Sequence, residues 1–309
     1  MSTASNDRVT VLKTHKLFIK GAYPRGESGR THALRDADGG LMAHLCTGSR
    51  KDLREAVEAA RAALPGWSAA TPYLRGQILH RLAEMLEGRA AELTQAIADT
   101  TGRSAKKARA EVNAGIDRIV CFAGWSDKIA SLLGNQNPVA QPFHNFTVPE
   151  PVGTLGVIAP ESSSFLGFLS LWLPAVCAGN TVVCMASEHL PLPALLVAES
   201  MPSSDLPAGV FNLLTGTRKE LLPAFAAHRD LDGVEQRLDQ GRGRLPVVED
   251  GVDEVHSQPP HGVLLEGVGV VEEPHVEDQV ARGGADRVLE ADAHPDVAVV
   301  APLVGAGGR

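Results

Sequence analysis

The sequence predicts an α/β fold, with a parallel sheet preceded by a layer of helices and followed by a disordered tail. Three observations carry this reading. The front holds long stretches with apolar residues at helical spacing, the middle alternates short apolar runs with helical patterns, and the last quarter loses most of its amino-acid alphabet. Strands separated by helices of such length imply right-handed βαβ crossovers, and hence parallel pairing.

The chain has 309 residues, 44% of them hydrophobic, enough for one large or two ordinary domains. Its net charge of −8 is unevenly spread: residues 235–309 carry −9 and the remainder +1. No Lys/Arg stripe stands out, which argues against a nucleic-acid partner. Cys46, Cys121, Cys177 and Cys184 lack C-x-x-C spacing. Reduced thiols in a cytoplasmic protein, with no metal site, are the expectation. The N-terminus "MSTASNDRVTVLKTHKLFIKG" has scattered charges and no apolar core of the kind secretory signals need, so residues 1–16 are read as a flexible lead. "FLGFLSLWLPAVCAG", the most apolar run, is 15 residues with an internal proline. That is short of the roughly 20 residues that cross a bilayer, so a buried helix and no membrane association are expected.

From the front, "SRKDLREAVEAARAALPGW" opens on Ser49 with Asp52 three residues later, the signature of a capping box. Leu53, Ala56, Val57, Ala60 and Leu64 form its stripe, and Pro65-Gly66 is expected to end it. Thr71 and Pro72 start a second helix with Leu74, Ile78, Leu82, Met85 and Leu86 inward. A third pattern runs from Ser104 to Leu133 with Val112, Ile116, Ile119 and Val120 inward, closed by Gly134. These three helices are expected to precede the first clear strand. "GTLGVIAP", "NTVVCMA" and "GVFNLL" then read as strands, with helices "SFLGFLSLWLPAVCAG", "PLPALLVAESM" and "RKELLPAFAAH" after them. The "TGT" following Leu214 is a turn at a strand's carboxyl end, where open α/β sheets place ligands. No G-x-G-x-x-G follows any strand, so the usual dinucleotide fingerprint is absent.

"EPVGTLGVIAP", "PAVCAGNTVVCMASEHLPLPA" and "SDLPAGVFNLLTG", with the earlier "FIKGAY", "AVEAARAALPGWSAATPYLRGQILHRLAEMLEGRAAEL" and "AGWSDKI", resemble the N-terminal half of the NAD(P)-dependent aldehyde dehydrogenase superfamily. The resemblance spans about Leu17 to Gly233, in family order. It implies an incomplete Rossmann-like parallel sheet, a cofactor-binding domain over 17–233, NAD or NADP as cofactor, a small-molecule aldehyde as ancestral partner and a homo-oligomer. It also implies cofactor-binding roles for Ala159, Pro160, Glu161, Ser162, Met185, Ser187 and Glu188.

The sequence departs from the family where the chemistry lies. The family's P-W-N-F-P, whose Asn donates to the oxyanion, reads "PESSS" here and puts Ser162 in that place. K-P-[SA]-E becomes "MASE": Met185 replaces the Lys that contacts the cofactor ribose, and a thioether donates no hydrogen bond. Glu188, which in the family accepts from the adenosine ribose hydroxyls, is kept. These features resemble a divergent branch of the superfamily. Ser162, Ser163 and Ser164 also read as caps for the helix opening at Phe165, or as a serine nucleophile. No G-x-S-x-G elbow surrounds them, which favours capping. Cys177 and Cys184 sit in apolar segments as buried hydrophobes. The family's G-Q-x-C nucleophile, its F-T-G-S turn and its E-L-G-G base segment are all missing, so no catalytic residue is assigned.

Those segments belong after Gly233, where the composition changes. Met, Ser, Thr, Asn, Lys, Ile, Phe, Tyr, Trp and Cys make up 74 of the first 225 residues but only one, Ser257, of the last 84. These types share no physical property. Their codons begin with A or T, whereas every residue type that remains has codons beginning with G or C. In a GC-rich gene a reading frame displaced by one step, with the old third base now first, produces this alphabet. The chain is therefore expected to leave its ancestral frame shortly after Gly233, giving a low-complexity tail over 234–309 and no dehydrogenase turnover. A genuine acidic tail is the rival, but this stretch is not charge-blocked and is rich in Val. His256, His261, His275 and His294 lack ligand spacing. The alternative function is a non-catalytic module that binds cofactor or a partner.

Overall fold

The computed structural model describes residues 11–140 and 142–236. All of these belong to one compact unit, and the second unit, residues 242–300, lies outside them. The expected tail, with its four histidines, therefore also lies outside the described residues, apart from its first three.

Three strands come before any helix, where the sequence reading placed none. They are β1 (Thr14–His15), β2 (Thr31–Arg35) and β3 (Leu41–Cys46), in the order β1-β3-β2. β1 pairs with β3 in parallel, so regular structure begins inside the expected flexible lead. The short β2 is mostly exposed, and one buried residue, Leu34, gives too little alternation to be seen in sequence.

The helices follow as α1 (Arg50–Ala69), α2 (Pro72–Gly88), α3 (Ala90–Thr101), α4 (Ala105–Trp125) and the single-turn α5 (Ile129–Leu133). The Ser49/Asp52 capping box forms as expected, and Thr71 and Ser104 cap α2 and α4 through Leu74 N and Lys107 N. α1 differs from expectation by running through Pro65 and Gly66. Proline forfeits one helical bond, but both residues are exposed, and the next, Trp67, is buried and holds the last turn down. Leu74 is exposed and Arg75 buried in its stead, its guanidinium donating to the carbonyl oxygens of Ala70 and Cys177. α3 is a separate helix, turned off after Arg89. The third pattern breaks between Trp125 and Ile129, and Val120 faces solvent. A two-strand ribbon, β4 (Asn135–Gln136) with β5 (Phe146–Thr147), leads to the main sheet.

That sheet consists of β6 (Thr154–Ile158), β7 (Thr181–Met185), β8 (Phe211–Leu214) and β9 (Gly233–Gln236), all parallel, in the order β8-β7-β6-β9. The intervening helices are α6 (Leu166–Cys177), α7 (Leu192–Ser200) and α8 (Arg218–Ala226). β9 adds a fourth strand to the three that the sequence reading placed in this sheet. Asp232 fixes it: its carboxylate accepts from Thr154 N (2.7 Å) and from Arg61 (2.8 Å). β7 is buried on both faces, as a central parallel strand should be. On one face α1 and α8 bury Leu53, Val57, Leu221 and Phe225 against Ile158, Val183 and Met185. On the other α6 and α7 bury Phe168, Trp172 and Leu195 against Val157, Val182 and Cys184. α6 is apolar almost all round because it lies between the sheet and α4. Among the described residues no helix is long and apolar enough to cross a membrane.

Candidate functional site

In a parallel sheet the loops leaving the strands emerge together at the carboxyl ends. Register pairs Ile158 with Met185 and Met185 with Leu214, so Ala159–Glu161, Ala186–Glu188 and Thr215–Arg218 lie side by side. The chain moves from β6 outward to β8 and then crosses to β9 on the far side of β6, which makes β6/β9 the topological switch point. Six of the seven residues the resemblance named, Ala159, Pro160, Glu161, Ser162, Ser187 and Glu188, are in these loops. Met185, the seventh, is fully buried as the last residue of β7.

Glu161 joins the loops. Its Oε1 accepts from the backbone N–H of Glu188 and from Arg218 Nε, both at 2.9 Å. Its Oε2 accepts from the Ser187 hydroxyl and from His189 N (3.2 Å). Arg218 also donates to the Ala159 carbonyl, and its backbone N–H, at the start of α8, donates to Glu188 Oε2 (2.9 Å). Both carboxylates that a ligand would meet at these strand ends are thus tied into the protein's own hydrogen bonds. His32 on β2 borders the same cluster, with Nδ1 2.9 Å from Thr47 Oγ1. Burial pushes its pKa down, and the nearby Glu188 charge partly opposes this.

Ser163 is the serine that caps: its Oγ accepts from Gly167 N (2.9 Å). Glu111, reaching over from α4, does the rest, its Oε1 accepting from Ser163 Oγ and from the N–H groups of Phe165 and Leu166. Ser164 Oγ is buried without a partner among the described residues. Ser162 is exposed, and its carbonyl accepts from Arg103, which also pairs with Glu111 at 2.8 Å. Arg218, His32, Arg103 and Glu111 were not found from sequence. Glu111 lies about fifty residues before the loop it caps, and only the N-terminal position of Arg218 on its helix gave any signal.

Cys177 and Cys184 lie elsewhere. Cys177 ends α6, the helix that starts beside Ser162, so about 16 Å of helix rise separates the two ends. Its Sγ contacts Phe122 O and Ser126 Oγ, and burial pushes its pKa up. Cys184 is fully buried in β7, and burial, then the Glu235 charge, pushes its pKa far up. No group of three or more His, Cys, Asp or Glu residues suited to a metal exists among the described residues.

A doubly wound parallel half-sheet, with its ligand end formed by the loops after β6, β7 and β8, defines the class. The sequence pattern of the aldehyde dehydrogenase family matches residues 23–236, and the chain belongs to that family. It is 32% identical over 220 residues to an aldehyde dehydrogenase of Emericella nidulans, covering 71% of this chain and 44% of the relative. A 2-hydroxymuconic semialdehyde dehydrogenase from a Pseudomonas species is 33% identical over 230 residues, with 72% and 47% covered. The solved NAD+ complex of a Bacillus cereus aldehyde dehydrogenase superposes with a TM-score of 0.69 at 28% identity, over 72% of this chain and 45% of that one. The chain thus spans less than half the length of these relatives. NAD(P) is used in the family. In this chain the Ser187 hydroxyl, the N–H groups of Glu188 and His189 and the Arg218 guanidinium at these strand ends already hold Glu161.

Proposed function

We propose that this chain is a non-catalytic member of the aldehyde dehydrogenase family, derived from an enzyme that oxidised an aldehyde to a carboxylic acid with NAD(P). The observation that supports this most is the placement of Cys177 and Cys184. Covalent aldehyde oxidation needs a thiolate at the ligand end of the sheet. Here one thiol sits at the opposite end of α6 and the other inside β7, and burial holds both in the neutral form. Ser162 offers a short hydroxyl where the family has an amide, and Met185 offers no donor.

The same reading takes the chain to leave the family's frame just after Gly233. It is supported by the family match ending at residue 236 and by the restricted alphabet beyond it. The test of function is turnover: purified protein with aliphatic and aromatic aldehydes and either NAD or NADP yields no reduced cofactor. Turnover that disappears on Cys177→Ala or Cys184→Ala overturns the proposal.

A further inference from the structure

We propose that Glu161 is a built-in anion, occupying a phosphate-class site at the carboxyl ends of β6 and β7 and closing it to ligands in the unmodified chain. The inference goes beyond the absence of turnover and stands or falls separately from it.

The donor set is the basis. One hydroxyl, Ser187, two consecutive backbone N–H groups, those of Glu188 and His189, and one guanidinium, Arg218, converge on the two oxygens of a single carboxylate. Consecutive N–H groups with a planar cation form the kind of concavity that binds oxyanions. Such donors at the ends of parallel strands are positioned for a ligand phosphate. In this chain the acceptor comes from the protein instead. The Glu161 side chain is 22% exposed and that of Arg218 25%, so the pair is partly shielded from water. The backbone N–H of Arg218, directed at Glu188 Oε2, fixes the guanidinium's own residue at the rim. An entering phosphate would have to displace Glu161 and lie beside two carboxylates, and like charges repel in a partly desolvated site. A hydrogen-bonded latch that only ties two loops together accounts for the same contacts. The two accounts differ in what removing the carboxylate does.

The experiment titrates inorganic phosphate, NAD and NADP into the unmodified chain, Glu161→Ala and Glu161→Gln, by calorimetry and by thermal shift. The unmodified chain shows no saturable binding of any of the three. Glu161→Ala melts lower and is rescued by phosphate, which binds it at least about tenfold more tightly than it binds the unmodified chain. Adding Arg218→Gln to Glu161→Ala abolishes the gain. NAD or NADP binding to Glu161→Ala alongside phosphate identifies the site as one for a dinucleotide, and phosphate alone as one for a free anion. Glu161→Gln, which keeps the side chain's shape, gives the same gain more weakly and serves if the alanine variant does not fold. Saturable binding of phosphate or dinucleotide to the unmodified chain, or folded variants that gain nothing, overturns the proposal. Binding without turnover would leave the proposed lack of catalysis intact.

Discussion

The indole N–H of Trp67 donates to the carbonyl oxygen of Val176 at 2.9 Å, and both residues are shut off from solvent. This bond ties the end of α1 to the end of α6 and carries α1 past its internal proline. Trp67→Phe removes the donor and leaves a small void. The Val176 carbonyl keeps Gly179 N as a partner, so the loss is expected to be about 2 kcal/mol rather than the cost of a fully orphaned group. Urea denaturation checks this, and a variant as stable as the parent would remove Trp67 as the reason α1 continues.

The same helix shows what the sequence made legible. Ser49 and Thr71 were readable as caps because a cap is local, a side chain meeting an N–H two or three residues on. The strands from Thr154, Thr181 and Phe211 were readable because they are continuous apolar runs. Pro65 misled because the group that outweighs it, Val176 O, is more than a hundred residues away. β9 was missed because its four residues, GVEQ, form too short and polar a strand to carry a pattern. At the site, Glu161 and Glu188 were legible through the family resemblance. Their partner Arg218 was not, since its role depends on the register of β8 against β7.

Gly115 on α4 faces the ring of Phe165, and a Cβ at that position would lie 2.3 Å from Cε1. Alanine is the better helix former by up to about 1 kcal/mol, but here it overpacks a fully buried ring. Gly115→Ala is therefore expected to destabilise by about 1–2 kcal/mol net. Phe165→Leu in the same chain relieves the clash, so a double-mutant cycle should show favourable coupling. Additive effects would count against direct contact.

Two carboxylates give opposite pH slopes. Glu199 is held down at about 2, first by hydrogen bonding to His15, then by Lys13 and Arg89, against the opposing effect of burial. A depressed carboxylate stabilises the fold above its unfolded value of 4.5, and that stability is lost as pH falls towards 2. With discounting for partial exposure, about 1–2 kcal/mol is expected, and Glu199→Gln should flatten the acid limb of the stability curve. Glu235 in β9 is raised by burial alone, so its contribution is present below 4.5 and lost as pH rises through its folded value. Glu235→Gln should raise Tm at neutral pH and leave it little changed at pH 4. The reverse order would contradict the burial of that side chain.

Of the four thiols only Cys121 is exposed. In the folded protein a disulfide reagent should therefore modify one equivalent quickly, and the other three only at the rate of unfolding. Cys121→Ser should abolish the fast phase. A fast phase that survives this substitution and depends on Cys177 would show a reactive thiol that the placement of α6 does not allow, and would reopen the question of catalysis.

The change of alphabet beyond Gly233 makes the most consequential prediction. If the encoding DNA is read one step away from its present frame after that codon, the translation should recover the family landmarks in order. A T-G-[SA]-like turn should come soon after the break, followed by a Cys-bearing segment or its degenerate replacement. The restored frame should also return Ile, Phe, Thr, Lys and the other depleted types to the front's frequency of 74 in 225. Resequencing the locus, with an intact mass of the protein from its native source, separates a reading error from a displaced frame that is translated as such. Alternative frames that hold early stop codons, or no likeness to the family, would leave the stretch as evolved low-complexity protein. A recovered frame that carries the Cys-bearing segment would supply a nucleophile, but it would leave Ser162, Met185 and the Glu161–Arg218 pair in place. Aldehyde oxidation with NAD should then remain weak until Glu161 is replaced, which links this outcome to the phosphate titration.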